Sequence, residues 1–204
     1  MSYVKNILTR TLLYTEIEEF LEELLVDAGF SGIEIEKLPL GTRINIYALK
    51  PGLVIGRKGT GIRELTEQLS KKFKLQNLVM NVVEVQTPEL DPRIVAQRIA
   101  NAVQRGIPFR RAAMTALNSV MKAGALGCEI TVSGKIRSER AHFEKYRDGV
   151  VPKSGHVKDI AVREAVRHVL LKMGLYGIKV KIAYKEALPE EFKLKEEAKQ
   201  DANA

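Results

Sequence analysis

The chain has 204 residues, 45% of them hydrophobic, enough to fill two small cores. Its formal charge of +8, with a pI near 9.5, points to a polyanionic partner. A single cysteine excludes an intramolecular disulfide, and one Cys with His142, His156 and His168 scattered along the chain builds no zinc knuckle.

No apolar run is long enough to span a bilayer and no basic-then-apolar leader is present, so a soluble, cytoplasmic protein without a membrane partner is expected. In chain order, Thr15-Glu16-Ile17-Glu18 reads as a capping box opening a helix. Ile17, Leu21, Leu24, Leu25 and Ala28 then recur at helical spacing up to a stop at Gly29. Residues 32–38 and 43–49 alternate apolar and polar around Pro39-Leu40-Gly41 and predict a hairpin.

Pro51-Gly52 starts a short helical turn that leads into Leu53-Val54-Ile55-Gly56-Arg57-Lys58-Gly59. Two glycines bracketing two cations let a backbone turn approach a sugar-phosphate chain, whose charge Arg57, Lys58 and the amides of the following helix can meet. Ile62, Leu65, Leu69 and Phe73 give that helix its inner face, and residues 78–85 form a β-branched strand. A glycine-rich turn alone is common. The order helix, strand, strand, helix, glycine loop, helix, strand is not, and it resembles the type II KH domain, a fold that clamps single-stranded nucleic acid with Gly56, Arg57, Lys58 and Gly59.

Thr87 to Pro92 forms the joint, with Asp91 as N-cap and Pro92 at the first helical position. One helix runs through Ile94, Val95, Ile99, Ala102 and Val103 to Gly106. Pro108 starts another, with Phe109, Ala113, Ala116, Leu117 and Val120 on its buried face and Arg111, Thr115, Asn118 and Lys122 on a polar stripe beside Arg110. Residues 128–133 and 178–184 alternate as strands, and Cys128, in phase with Ile130 and Val132, reads as a small core residue. Residues 157–171 suit a strand or a helix equally. The segment 134–147 carries Lys135, Arg137, Arg140, Lys145 and Arg147 together with Phe143 and Tyr146, the mix of an RNA-contacting loop that pairs with phosphates and offers rings for stacking.

Charge is uneven along the chain. Lys and Arg equal Asp and Glu at 11 each over residues 1–86, but number 19 against 9 over residues 87–186. In the first half Glu16, Glu18, Glu19, Glu22, Glu23 and Asp27 crowd the first helix, read as a solvated face, while Lys50, Arg63, Lys71, Lys72 and Lys74 are expected around the glycine loop.

A KH unit followed by Asp-Pro-x-x-x-Ala-x-x-Ile-Ala, Pro-Phe-Arg-Arg-Ala and Ser-Gly-x-x-x-Ser-x-Arg-Ala-x-x-x-Lys-Tyr-x-x-Gly is similar to the family of small-subunit ribosomal protein number three. Residues 165–171 and 177–182 look like its archaeal and eukaryotic branch. The resemblance implies an α+β fold: an N-terminal type II KH domain over residues 15–87, then a second α/β domain of two helices packed on a β-sheet over residues 88–186, with an arm at 1–14 and a charged tail at 187–204. It also implies ribosomal RNA, messenger RNA and neighbouring proteins of the small-subunit head as partners, no cofactor, and Arg110 and Arg111 facing the messenger at the entry channel. Bacterial relatives carry another basic residue one turn further on this helix, where this chain has Met114. The competing reading is a free-standing KH regulator of single-stranded RNA, which leaves residues 108–184 without a purpose. An enzyme finds no support: residues 52–59 lack the Gly-Lys-Ser/Thr ending of a P-loop, and no nucleophile has an adjacent base.

Overall fold

The computed structural model describes residues 3–38, 41–73, 77–136 and 138–185. The chain divides into two compact units, Met1–Pro88 and Glu89–Ala204. In the first, helix α1 (Tyr3–Leu24) passes through a 3-10 turn (Val26–Ala28) into strands β1 (Phe30–Leu38) and β2 (Gly41–Ala48). Helix α2 (Pro51–Ile55), a turn at Arg57–Gly59 and helix α3 (Thr60–Phe73) then lead to strand β3 (Leu78–Glu84). Sheet order is β1-β2-β3, antiparallel between the first pair and parallel between the second. The parallel pairing follows from the helical crossover, which returns the chain to the end of the sheet where β2 began.

Register explains the core. Ile33 and Ile35 face Ile46 and Ile44 across β1 and β2, and those in turn oppose Val82 and Met80. This apolar face packs with Ile17, Leu21 and Leu25 from the first helical segment and with Leu65 and Leu69 from α3. Leu24, expected in that core, is exposed.

The capping-box expectation fails. Helix α1 starts at Tyr3, and Thr15 sits inside it with its Oγ1 donating to the Thr11 carbonyl at 3.1 Å. Residues 3–14 contain no Gly or Pro to stop a helix, and a mid-helix threonine satisfies its hydroxyl on the carbonyl four residues back. The Pro39-Leu40 turn, Lys74, Arg137 and the 187–204 tail lie outside the described residues.

In the second unit, Asp91 caps helix α4 (Pro92–Gln104), accepting from the Arg93 amide at 2.8 Å, and helix α5 is Phe109–Lys122. Strands β4 (Gly127–Gly134) and β5 (His142–Gly149), the short helix α6 (His156–Ala161), and strands β6 (Val162–Leu171) and β7 (Gly174–Ala183) follow. The antiparallel order is β5-β4-β7-β6, with α4 over β6 and β7 and α5 over β4 and β5. Val95, Ile99, Ala113, Leu117 and Val120 meet Cys128, Ile130, Val132, Ile178, Val180 and Ile182 in one core. The ambiguous stretch is thus helix to Ala161 and strand from Val162.

Cys128 is fully buried, and burial, followed by the nearby Asp148 and Glu129 carboxylates, pushes its thiol up to about 12 from an ordinary 9.0. A raised folded-state value means that the neutral thiol supports the fold fully below pH 9 and that this contribution is lost as pH rises toward 12. Two results are expected. Iodoacetamide at pH 8 leaves native Cys128 unlabelled and labels it fully in denaturant, and denaturant midpoints fall progressively above about pH 9. Labelling of the native protein at the unfolded rate would overturn the core assignment.

We further expect the fragment 1–88 to unfold in one cooperative transition, because its helices and sheet bury one apolar cluster of their own. Broad melting followed by circular dichroism would show that its core depends on the rest of the chain.

Candidate nucleic-acid interface

The glycine loop is built by backbone constraint. Gly56 has φ 71° and ψ −179°, a conformation open essentially to glycine alone, and Gly59 has φ 77°. Lys58 between them is left-handed (φ 54°, ψ 24°). Thr60 Oγ1 donates to the Arg57 carbonyl at 3.0 Å and closes the turn onto the first residue of α3. A third glycine, Gly61, which sequence reasoning missed, holds the pair of helices together: a Cβ there would lie 2.7 Å from the Val54 carbonyl oxygen. Its signal was the repeat Gly56-Arg57-Lys58-Gly59-Thr60-Gly61.

Arg57 and Lys58 are both exposed and make no ion pair among the described residues. Val54 anchors the loop in the core, while Leu53 and Ile55 stay in solvent beside the cations. Apolar surface for bases beside charge for phosphates suits a single strand. Two members of the expected wider ring of cations do not gather there. Lys71 pairs with Glu67 at 3.7 Å and Lys72 lies 4.0 Å over the Phe20 ring. Both sit in the last turn of α3, about 16–18 Å along the axis from its start.

In the second unit, Arg110 and Arg111 lie exposed in the first turn of α5, without an acidic partner among the described residues. Thr115, Asn118 and Lys122 continue the exposed stripe, and Met114, one turn beyond the arginines, is also exposed.

The segment 134–147 is not one loop. Its second half is β5, paired with β4, so its side chains alternate between two faces. Tyr146 opposes Ile130 on the face covered by α5, packs against the core, and donates its hydroxyl to Glu144. Half-buried there, Tyr146 offers less of its ring to a partner than a loop position would. Lys145 and Arg147 point to the opposite face with Phe143, which is 65% exposed; the Lys145 ammonium sits 5.4 Å over that ring, and Arg147 stands across from Glu129, which is buried and paired with Lys153 at 3.7 Å. Phe143 is the more exposed of the two rings. Lys135 and Arg140 are exposed in the connection, pinned where the Tyr176 hydroxyl donates to the Lys135 carbonyl. On the same outer face Lys179 and Lys181 are held by Glu164 at 3.2 and 3.3 Å, and the two ammonium groups pull its carboxyl below the usual range.

The site residues therefore form three groups: the glycine loop in the first unit, and in the second the α5 arginines and the β5 cations on opposite faces of one sheet. Among the described residues no three His, Cys, Asp or Glu side chains gather as a metal site, and no helix is long and apolar enough to cross a membrane.

Comparison with known proteins agrees with this architecture. Residues 16–90 match a KH domain family model, and residues 99–182 match the model described as Ribosomal protein S3, C-terminal domain. The small ribosomal subunit protein uS3 of Thermofilum pendens is 44% identical over 94% of this chain and 95% of its own length. Those of Ignicoccus hospitalis (45%, over 89% of this chain and 75% of the relative) and Pyrobaculum calidifontis (49%, over 81% and 78%) are similar. These are structural ribosomal proteins and not enzymes. Matched by both models and by such relatives over most of their length, the chain belongs to the ribosomal protein S3 (uS3) family.

Proposed function

We propose that this chain is an RNA-binding constituent of the small-subunit head, held on ribosomal RNA by the outer face of its second unit and lining the messenger entry channel with Arg110 and Arg111. The observation that carries this reading is the separation of two exposed cationic groups, Arg110 and Arg111 on α5 and Lys145 and Arg147 with Phe143 on β5, to opposite faces of one sheet. A layer cationic on both sides can hold one RNA while a second passes its other face. The glycine loop adds a sequence-tolerant grip on a single strand. Neighbouring head proteins complete the setting, which is the cytoplasmic ribosome.

The test is co-sedimentation of the intact protein with small subunits in high salt, together with translation of a structured message. Stable co-sedimentation is expected for the parent and for Arg110→Ala/Arg111→Ala, with structured-message translation lowered in the latter. Loss of the parent from subunits in high salt would favour a free-standing single-strand regulator.

A further inference from the structure

A groove of about 650 Å³ runs between the outer faces of α4 and α5, within the size range of small-ligand sites. It is open because small side chains floor it: Ala102, Ala112 and Ala116 leave the two helices without bulk where they turn outward. Ile107, 42% exposed in the connection between the helices, forms an apolar wall. Arg98, Arg105 and Arg111 are among its lining, and no acidic side chain is. Arg98 is tied to Glu89 at 3.4 Å, whereas Arg105 and Arg111 have no acidic partner among the described residues. An apolar slot for a flat ring with free guanidinium groups beside it is complementary to one nucleotide of an unpaired strand: ring on the slot, phosphates on the arginines.

Resting on the reading of Arg110 and Arg111 as messenger-facing, we propose that the messenger strand leaves Arg111 sideways across this groove, seating one base between α4 and α5 with its phosphate on Arg105. Along α5 itself the next outward side chains are Met114, Thr115 and Asn118, with no cation to hold a phosphate before Lys122. Hydrophobic contact and phosphate pairing make the seat tolerant of sequence, as passage of every codon requires.

The experiment uses small subunits carrying the full chain, programmed with messengers that each contain one 4-thiouridine at successive positions at the channel entry. One position is expected to crosslink to peptides lining the groove. Arg105→Ala lowers that crosslink about five- to tenfold, the effect of removing one charge-assisted hydrogen bond. Thr115→Phe, which keeps every charge but fills the mouth, abolishes it; both positions are exposed, so the fold survives. If Arg110→Ala weakens messenger binding while Arg105→Ala and Thr115→Phe leave the crosslink unchanged, the groove is not the seat although the channel reading stands. If Arg105→Ala acts and Thr115→Phe does not, the arginine steers the strand and no base enters, which also overturns the proposal. If the 4-thiouridine at every position crosslinks to ribosomal RNA and none to the groove peptides, the proposal is overturned too, and no effect of any variant, Arg110→Ala included, removes the channel reading itself.

Discussion

Exchanging Arg57 and Lys58 for Asp lowers the affinity of the intact chain for single-stranded RNA by about tenfold or more at moderate salt, and reduces the slope of log affinity against log salt by roughly 1.4, since each phosphate paired on a single strand contributes about 0.7. Both side chains are exposed and make no ion pair among the described residues, so stability stays within about 0.5 kcal/mol. The contrasting variant is Gly56→Ala. It keeps both cations but places a Cβ 2.9 Å from the Gly61 nitrogen on a backbone at φ 71°, and it is expected to cost about 1–3 kcal/mol of folding stability. Charge and backbone thus separate into two readouts, a salt titration and a denaturant midpoint. An unchanged slope in the Asp variant removes the clamp assignment.

That loop was legible in the sequence because its geometry is local: glycine content fixes the turn and the turn aims the cations. The same holds for Asp91-Pro92, where cap and proline act within one turn of each other. Failures came where a distant partner decides. The pattern of residues 162–171 imitates a helix because Ala165 and Val169 are buried four apart, while the inward position between them is taken by Arg167, whose Nε donates to Gln97 Oε1 at 2.6 Å across to α4. Arg163, also inward by register, lies 5.2 Å from the Tyr184 ring. Charged residues at core-facing strand positions erase period-two alternation, and only the covering helix reveals that they are satisfied. Gly61 escaped for a related reason, since what it must avoid is the Val54 carbonyl of another helix.

Tyr146 shows how much of the interface depends on strand parity. Taken as loop, residues 143–147 offer two rings and two cations to RNA. Taken as β5 in register with β4, they split, and the side chain of Tyr146 goes to the core. The split sets the second large effect. Neutralising Arg140, Lys145 and Arg147 together, all exposed, is expected to lower the salt slope for ribosomal RNA by roughly 2–3, at about 0.7–0.9 for each phosphate left without its cation, with little change in stability. Phe143→Ala should remove a further amount of binding, about 1–3 kcal/mol, if a base stacks on it. Tyr146→Leu, which removes the ring but keeps an apolar side chain against the core, should leave RNA binding unchanged, because that ring faces the covered side of the sheet. Subunit incorporation of the triple variant should fall, whereas Arg110→Ala/Arg111→Ala should still assemble and fail on a structured message. If the triple variant incorporates normally and the α5 variant does not, the two faces have been assigned the wrong way round; if Tyr146→Leu weakens RNA binding while Phe143→Ala does not, the parity of β5 is wrong, and the inward and outward residues of the whole strand exchange roles.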